Sequence, residues 1–162
     1  MKRLIKISLG LIIVFAGLVL IRLKPRIVIF GDFAGECIGN CGTMYEVTTK
    51  VIRKDTTTFW QTYQDLSKFA IKGQKQVEEH NEGDYNDYKL DIPLVMLFDP
   101  RERFGCPGCI DQIAYYLQFT LFGITRRFQI DPGHEPVYFS SLTKEIENKI
   151  EKVSLHVDKY GR

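Results

Sequence analysis

The sequence predicts an α+β fold: an N-terminal membrane-anchor helix followed by a mainly antiparallel sheet of two hairpins, covered by a C-terminal amphipathic helix. Three observations predict it. An uncharged apolar run occupies residues 7–21, two later segments carry the alternating pattern of strands, and residues 140–157 have apolar positions at helical spacing. At 162 residues, with 44% hydrophobic and 26% charged residues, the chain has room for one domain with a core.

The first element is the apolar run of residues 7–21. As a helix these residues extend roughly 22 Å, short of the ~30 Å hydrocarbon core, so basic flanking side chains have to complete a span. The flanks are Lys2, Arg3, Lys6, Arg22, Lys24 and Arg26. We interpret residues 1–26 as an uncleaved signal anchor and 27–162 as an extracytoplasmic domain at a bacterial inner membrane. The alternative is cleavage after Val14-Phe15-Ala16 and secretion.

The distribution of charged residues indicates which classes of partner the chain can bind. The chain has 22 basic and 20 acidic residues, and six of the basic ones precede position 27, which leaves 16 basic against 20 acidic residues and a net charge of −4 in the rest. No basic stripe with interleaved aromatic residues remains, so the sequence argues against nucleic-acid binding. The expected partners are a membrane, through residues 7–21, and a protein.

The first predicted strands follow the anchor. Residues 27–30 form a short apolar run, and β-branched and aromatic residues on both sides of Lys54-Asp55 predict strands near 43–53 and 56–64 joined by a tight turn there. A second hairpin is predicted over 115–130, because apolar and polar residues alternate from Leu117 to Leu121 and Gly123 suits a turn.

The middle of the chain favours a helix over about 81–91, in competition with one over 66–80, and Pro93 then ends it before the buried run "LVMLF". Alternation places aromatic residues on both faces of the sheet, and a face left open would suit a protein partner; we expect residues 66–91 to cover it. The last helix follows Ser140 or Ser141 as N-cap. Its apolar face comprises Leu142, Ile146, Ile150 and Val153.

Four cysteines form two close pairs, "ECIGNC" with Cys37 and Cys41, and "CPGC" with Cys106 and Cys109. An exported location and an even count favour structural disulfides, although four cysteines allow three pairings. A crosslink between the two pairs closes about 70 residues and contributes roughly 4 kcal/mol, against roughly 2 kcal/mol for each local bridge.

Two other chemistries fit the same residues. Four thiolates from Cys37, Cys41, Cys106 and Cys109 could form a tetrahedral structural zinc site, which would be the leading interpretation if the orientation were reversed and the domain cytosolic. Alternatively, Cys106 and Cys109 form a thiol–disulfide exchange site, with Cys106 as the exposed nucleophile and a helix beginning after Cys109 that lowers the thiol pKa. Under the favoured interpretation the protein needs no metal or cofactor and has no catalytic residue.

The segments "GECIGNCGTMYEV" and "CPGCIDQIAYYLQFTLFGITRRFQIDP", followed by the amphipathic helix, resemble a group of small uncharacterised bacterial exported domains. In these domains a C-x-G-x-C-type loop precedes a strand and a C-x-x-C-x-D segment precedes a hairpin. The resemblance implies export and proximity of the two cysteine segments, without implying a reaction. Gly108 stands where the relatives tend to have an acidic residue. The sequence therefore predicts a disulfide-stapled binding or envelope-associated domain.

Overall fold

A computed structural model describes residues 13–14, 16–17, 21–34, 42–55, 75–78, 85–107 and 112–160. This part of the chain contains nine strands, three short 3₁₀ helices and one long C-terminal helix. The strands are β1 (Arg22–Leu23), β2 (Ile27–Ala34), β3 (Gly42–Val47), β4 (Val51–Asp55), β5 (Lys75–Glu78), β6 (Ile92–Pro93), β7 (Arg103–Phe104), β8 (Ile113–Leu121) and β9 (Ile124–Ile130). The 3₁₀ helices are Tyr85–Tyr88, Leu94–Phe98 and Val137–Phe139, and the α-helix, α1, is Leu142–Tyr160.

Seven strands form the main sheet in the order β5-β4-β3-β2-β8-β9-β7. Every neighbouring pair is antiparallel except β7 and β9, which are parallel. The two remaining strands, β1 and β6, pair with each other in a small separate ladder. The mainly antiparallel sheet of the prediction is therefore present, with a parallel strand at one edge.

The long helix α1 packs on one face of this sheet. Its spacing of three or four residues puts Leu142, Ile146, Val153 and Val157 on the buried side, and each is fully removed from solvent. They join the inward residues of the central strands, including Phe30 and Leu117, in one core. The predicted C-terminal helix is confirmed, and Ser141 precedes it with its hydroxyl 2.7 Å from Glu145 Oε1.

The centre of the opposite face of the sheet is also buried. Because successive strand residues alternate between faces, Tyr115 points into the α1 side while Tyr116 points to the other side, and both are buried. The second cluster comprises Ile29, Phe33, Met44, Ala114 and Tyr116. Among the described residues, these central-strand aromatic side chains therefore do not form an open face for a partner.

The predicted position of the turn in the first hairpin is wrong. The chain reverses at Thr48–Lys50, because the Thr48 hydroxyl accepts hydrogen bonds from the amides of Lys50 and Val51. Lys54 lies inside β4, where its ammonium group is 5.8 Å from the Tyr45 ring centre and 3.3 Å from Asp158. The predicted strand over 56–64 lies outside the described residues. The second hairpin is confirmed as β8 and β9, with its turn at Phe122-Gly123.

The helix predicted over 81–91 is reduced to one 3₁₀ turn, Tyr85–Tyr88, in the part that the structure describes. This turn is fixed by tertiary contacts, because the Tyr85 amide donates to the Thr49 carbonyl and the Tyr88 hydroxyl lies 3.0 Å from His156 Nδ1. Of the competing helix over 66–80, the structure describes residues 75–78, and these form strand β5 instead of a helix. The run "LVMLF" forms a 3₁₀ helix with Val95, Met96 and Leu97 buried, as the apolar run indicates.

The predicted membrane-anchor helix is wrong as an element of this fold. Within the described ranges, no helix has the length and apolarity needed to cross a membrane. The basic residue expected to flank a span, Arg22, forms strand β1 with Leu23 and pairs with Glu145 of α1 at 3.2 Å. Helical backbone is present at 13–14 and 16–17.

Candidate functional site

One end of the sheet, which we call the cysteine end, collects the strand termini that border all four cysteines. The strand pairing aligns Thr43, Asp32, Tyr115, Ile130 and Phe104 in a single row across five strands. At about 4.8 Å between strands, this row spans about 19 Å.

The cysteine segments leave the sheet just beyond that row. Cys37 follows the last residue of β2 by three positions, and Cys109 precedes the first residue of β8 by four. Those two strand ends are directly paired, Ala34 with Ile113. Cys41 immediately precedes β3, and Cys106 follows β7 by two positions. The fold thus brings together the strand ends that carry the two predicted pairs.

Cys106 is the one of these cysteines that lies within the described residues. It is exposed and engaged in a disulfide bond. Its partner, together with Cys37, Cys41 and Cys109, lies outside the described residues, so the pairing stays a prediction.

The backbone before Cys106 is held by a tight fit against the loop that follows β9. Gly105 has φ +75, and a Cβ there would lie 2.7 Å from Asp131 Cβ and 2.8 Å from His134 Cγ. The Asp131 amide donates to the Phe104 carbonyl, and the His134 amide donates to the Asp131 carbonyl, each at 3.0 Å. Since only glycine combines this φ with this space, the position of Cys106 depends on Gly105.

Acidic and phenolic groups accompany the cysteines at this end. Burial raises the pKa of the Asp32 carboxyl above its ordinary value, partly offset by hydrogen bonds from backbone amides of Asp32 and Thr43. Its Oδ1 is buried and finds no hydrogen-bond partner in the structure as described. The neighbouring Tyr115 donates a 2.5 Å hydrogen bond to Glu147 of α1. Burial, followed by this bond and the Glu147 charge, raises the Tyr115 pKa.

The order strand, C-x-x-C, helix that favoured thiol–disulfide exchange is not what the chain adopts. Residues from Ile113 onward form strand β8, whereas that interpretation needs a helix here whose N-terminus stabilises a thiolate. Any thiol activation at Cys106 therefore has to come from nearby side chains or from solvent exposure.

The metal interpretation remains a prediction. Across the described ranges, no group of three His, Cys, Asp or Glu side chains is arranged to hold a metal ion. Three of the four proposed zinc ligands, Cys37, Cys41 and Cys109, lie outside those ranges.

Sequence reasoning missed Asp32, Tyr115, Glu147 and Gly105. A signal for Asp32 exists, because it is the single charged residue of β2, "IVIFGDFA", and a carboxyl group in such a strand is costly to bury. Tyr115 and Glu147 carry no such signal, since their contact joins residues 32 positions apart.

Comparison with protein-family models, curated proteins and solved structures finds no match to this chain.

Proposed function

We propose that this chain is an extracytoplasmic, envelope-associated binding domain whose cysteine end is stapled by disulfides among Cys37, Cys41, Cys106 and Cys109. The observation that carries the proposal is the strand register, which brings the termini bordering all four cysteines to one end of the sheet. A bridge between the segments there would close a long loop and restrict the unfolded chain strongly. A disulfide at Cys106 would require an oxidising compartment, as the proposed extracytoplasmic location provides.

The experiment is a thiol count with bridge mapping on the full chain, purified once from an oxidising compartment and once from a reducing cytoplasm, with zinc assayed in both. We expect no free thiols, no zinc and at least one bridge joining the Cys37/Cys41 segment to the Cys106/Cys109 segment in the oxidised sample. Four free thiols with one bound zinc in both samples would overturn the proposal.

Comparison of Cys106→Ser with the parent chain distinguishes a disulfide that stabilises the domain from one that does not. Cys106→Ser should lower the urea midpoint of the oxidised chain, and it should lower that of the reduced chain by much less. Equal midpoints for Cys106→Ser and the parent chain under oxidising conditions would show that this cysteine does not stabilise the domain.

Thiol–disulfide exchange at Cys106 and Cys109 is the second candidate, and the exposure of Cys106 favours it, because exposed disulfides are the more readily attacked. A substrate thiolate would attack Cys106 Sγ and form a mixed disulfide, while Cys109 leaves as a thiolate. A second substrate thiolate then releases oxidised substrate and the reduced protein dithiol, so two electrons pass from substrate to protein.

Oxidation of a dithiol peptide by the full chain tests this candidate. Turnover with glutathione disulfide as the terminal oxidant, lost in both Cys106→Ser and Cys109→Ser, would support exchange. Absence of turnover, together with a disulfide that resists mild reductant, would exclude exchange and assign Cys106 and Cys109 a structural role.

A further inference from the structure

Strand β9 has an open edge over part of its length. β8 lies along the whole of one side, whereas β7 lies along the other side only at Gln129 and Ile130. The Gln129 amide points away from β8 and donates to the Glu102 carbonyl at 2.8 Å, so the alternate residues Thr125 and Arg127 also direct their backbone groups away from β8. Neither has a backbone partner on that side in the part of the chain that the structure describes. We call these two amides and two carbonyls the open edge.

The sequence explains why β7 does not cover the open edge. Continuing the parallel register of β7 would require the amide of residue 100 to donate to the Thr125 carbonyl, and Pro100 has no amide hydrogen. The preceding chain lies on the α1 side of the sheet instead, because Arg126, on the same face as the buried Phe128, donates to the Asp99 carbonyl. The outer side of β9 is therefore not filled by the segment that leads into β7.

Two arginine side chains project from this part of β9, on opposite faces of the sheet. Arg126 donates to the Asp99 carbonyl, and its Nε is buried without a hydrogen-bond partner in the described structure. Arg127 donates a 3.1 Å hydrogen bond to Gln118 Oε1. Both acceptors are neutral, so neither guanidinium is paired with a carboxylate among the described residues.

The acidic side chains of the neighbouring segments leave these two charges unbalanced. The Asp99 carboxylate is bound by Arg101 at 2.6 Å, and the Glu135 carboxylate accepts a hydrogen bond from the Thr143 hydroxyl. Glu102 is exposed and has no ion pair among the described residues. One free carboxylate thus stands against two unpaired arginines, and an added strand with acidic side chains meets a net attraction.

A second copy of β9 fits the open edge poorly. Antiparallel pairing of two open edges about a two-fold axis places Thr125 opposite Arg127 and places Arg126 opposite Arg126 of the other copy. Like charges directly opposite each other in a ladder are destabilising. The arginines thus disfavour self-association and favour an acidic strand at the same edge.

We propose that the open edge of β9 binds an extended acidic segment of a protein partner by strand addition. The segment pairs with the backbone of Thr125 and Arg127 and places acidic side chains opposite Arg126 and Arg127. Ile124, which is 49% exposed and lies on the same face as Arg126, packs against an apolar side chain of the segment. This site rests on the binding role proposed above, whose class of partner it names, and it does not depend on the disulfides.

Fluorescence anisotropy with labelled model peptides tests the proposal on the full chain. The probe is the capped peptide threonine-valine-threonine-glutamate-glutamate-valine-threonine, and its control has two lysines in place of the glutamates. We expect the glutamate peptide to bind at least about fivefold more tightly, because two attractive cross-strand pairs replace two repulsive ones. Equal affinities for the two peptides would overturn the proposal.

Two N-methylated forms of the glutamate peptide separate strand addition from simple charge attraction. Each form is methylated on one of the two alternating sets of amides, and only one set can face β9. We expect one form to lose binding and the other to keep it. Equal binding by both forms would overturn the proposal, because charge alone would then account for the affinity.

Charge reversal in the protein tests which side chains the segment contacts. The double variant Arg126→Glu with Arg127→Glu should weaken binding of the glutamate peptide by about tenfold or more and should restore binding with the lysine peptide. Lys50→Glu is the matched control, because Lys50 is exposed in the β3–β4 turn, beyond β2 and β8. A double variant that binds both peptides as the parent chain does would contradict the proposal.

Amide hydrogen exchange of the unmodified chain, resolved by NMR, keeps the test independent of folding in the variants. Saturating glutamate peptide should slow exchange at Thr125 and Arg127 by about tenfold or more, and should leave Ile124 and Arg126, whose amides face β8, unchanged. Slowing that depends on protein concentration without peptide would identify a second copy as the occupant, contrary to the proposal. A chain with intact disulfides and no protection at Thr125 and Arg127 would overturn this inference and leave the disulfide-stapled domain standing.

Discussion

The Tyr138 hydroxyl lies 2.5 Å from Asp99 Oδ2 and joins the 3₁₀ helix before α1 to the 3₁₀ helix that follows β6. Asp99 is 7% exposed and also accepts hydrogen bonds from the Arg101 side chain. These contacts, led by the Arg101 bonds, lower the pKa of Asp99 from 3.8 to about 2.

The first prediction concerns acid stability. Because the folded-state pKa of Asp99 is depressed, the ionised carboxylate stabilises the fold above pH ~4, and this contribution is lost as the pH falls from about 4 toward 2. Asp99→Asn should lower the free energy of unfolding by about 2 kcal/mol at pH 7 and by much less near pH 2. Urea unfolding at both pH values measures this, and an undiminished difference at pH 2 would contradict it.

A second prediction concerns the backbone before Cys106. Gly105→Ala should destabilise the fold by at least about 1 kcal/mol more than Gly123→Ala, since both glycines have positive φ but only Gly105 lacks space for a Cβ. Gly123, in the β8–β9 turn, is therefore the matched control. The urea midpoints of the two variants give the comparison, and equal values would show that the loop at Asp131 and His134 yields without cost.

The third prediction concerns the attachment of α1. Ile146→Ala removes a fully buried side chain from the core and should lower the free energy of unfolding by about 2–5 kcal/mol. Leu155→Ala, on the exposed side of the same helix, should change it by less than about 0.5 kcal/mol. Similar losses at the two positions would mean that α1 packs on the sheet through a different face.

A fourth prediction concerns His156, which contacts Tyr88 and packs edge-on against Tyr85. Burial, and secondarily the Lys159 charge, lowers the His156 pKa below 6.5. The folded state therefore resists protonation here, so this contribution to stability is present above pH ~6.5 and is lost as the pH falls below that value.

Replacement of His156 by Gln should flatten the pH dependence of the urea midpoint between pH 5 and 7. His134→Gln is the control, because the His134 side chain is 60% exposed. An unchanged pH dependence in His156→Gln, with the control behaving like the parent chain, would assign the titration to another group.

The elements that could be predicted are those whose pattern is local. The β8–β9 hairpin follows from the alternation around Leu117 and from Gly123, and α1 follows from apolar residues three and four positions apart. Both are long enough for the period to identify the type of element. The β3–β4 turn was misplaced because Thr48, whose hydroxyl closes it, is less conspicuous than Lys54-Asp55.

The candidate site could be predicted only in its cysteines. The sequence indicates that Cys37, Cys41, Cys106 and Cys109 form two close pairs, but nothing local shows that β2 and β8 are neighbours, which is what brings the bordering strand ends together. The buried carboxyl of Asp32 and its neighbour Tyr115 likewise owe their proximity to that pairing.

The sequence by itself determined the mixture of sheet and helix, the final helix, the second hairpin and the cysteines available for bridges, because these depend on composition and on spacing along the chain. Only the tertiary structure decided that Arg22 enters a strand and that the centre of each sheet face is buried. Those features arise from contacts between residues distant in the chain, and the free energy of such contacts overrides local preference wherever a segment is short.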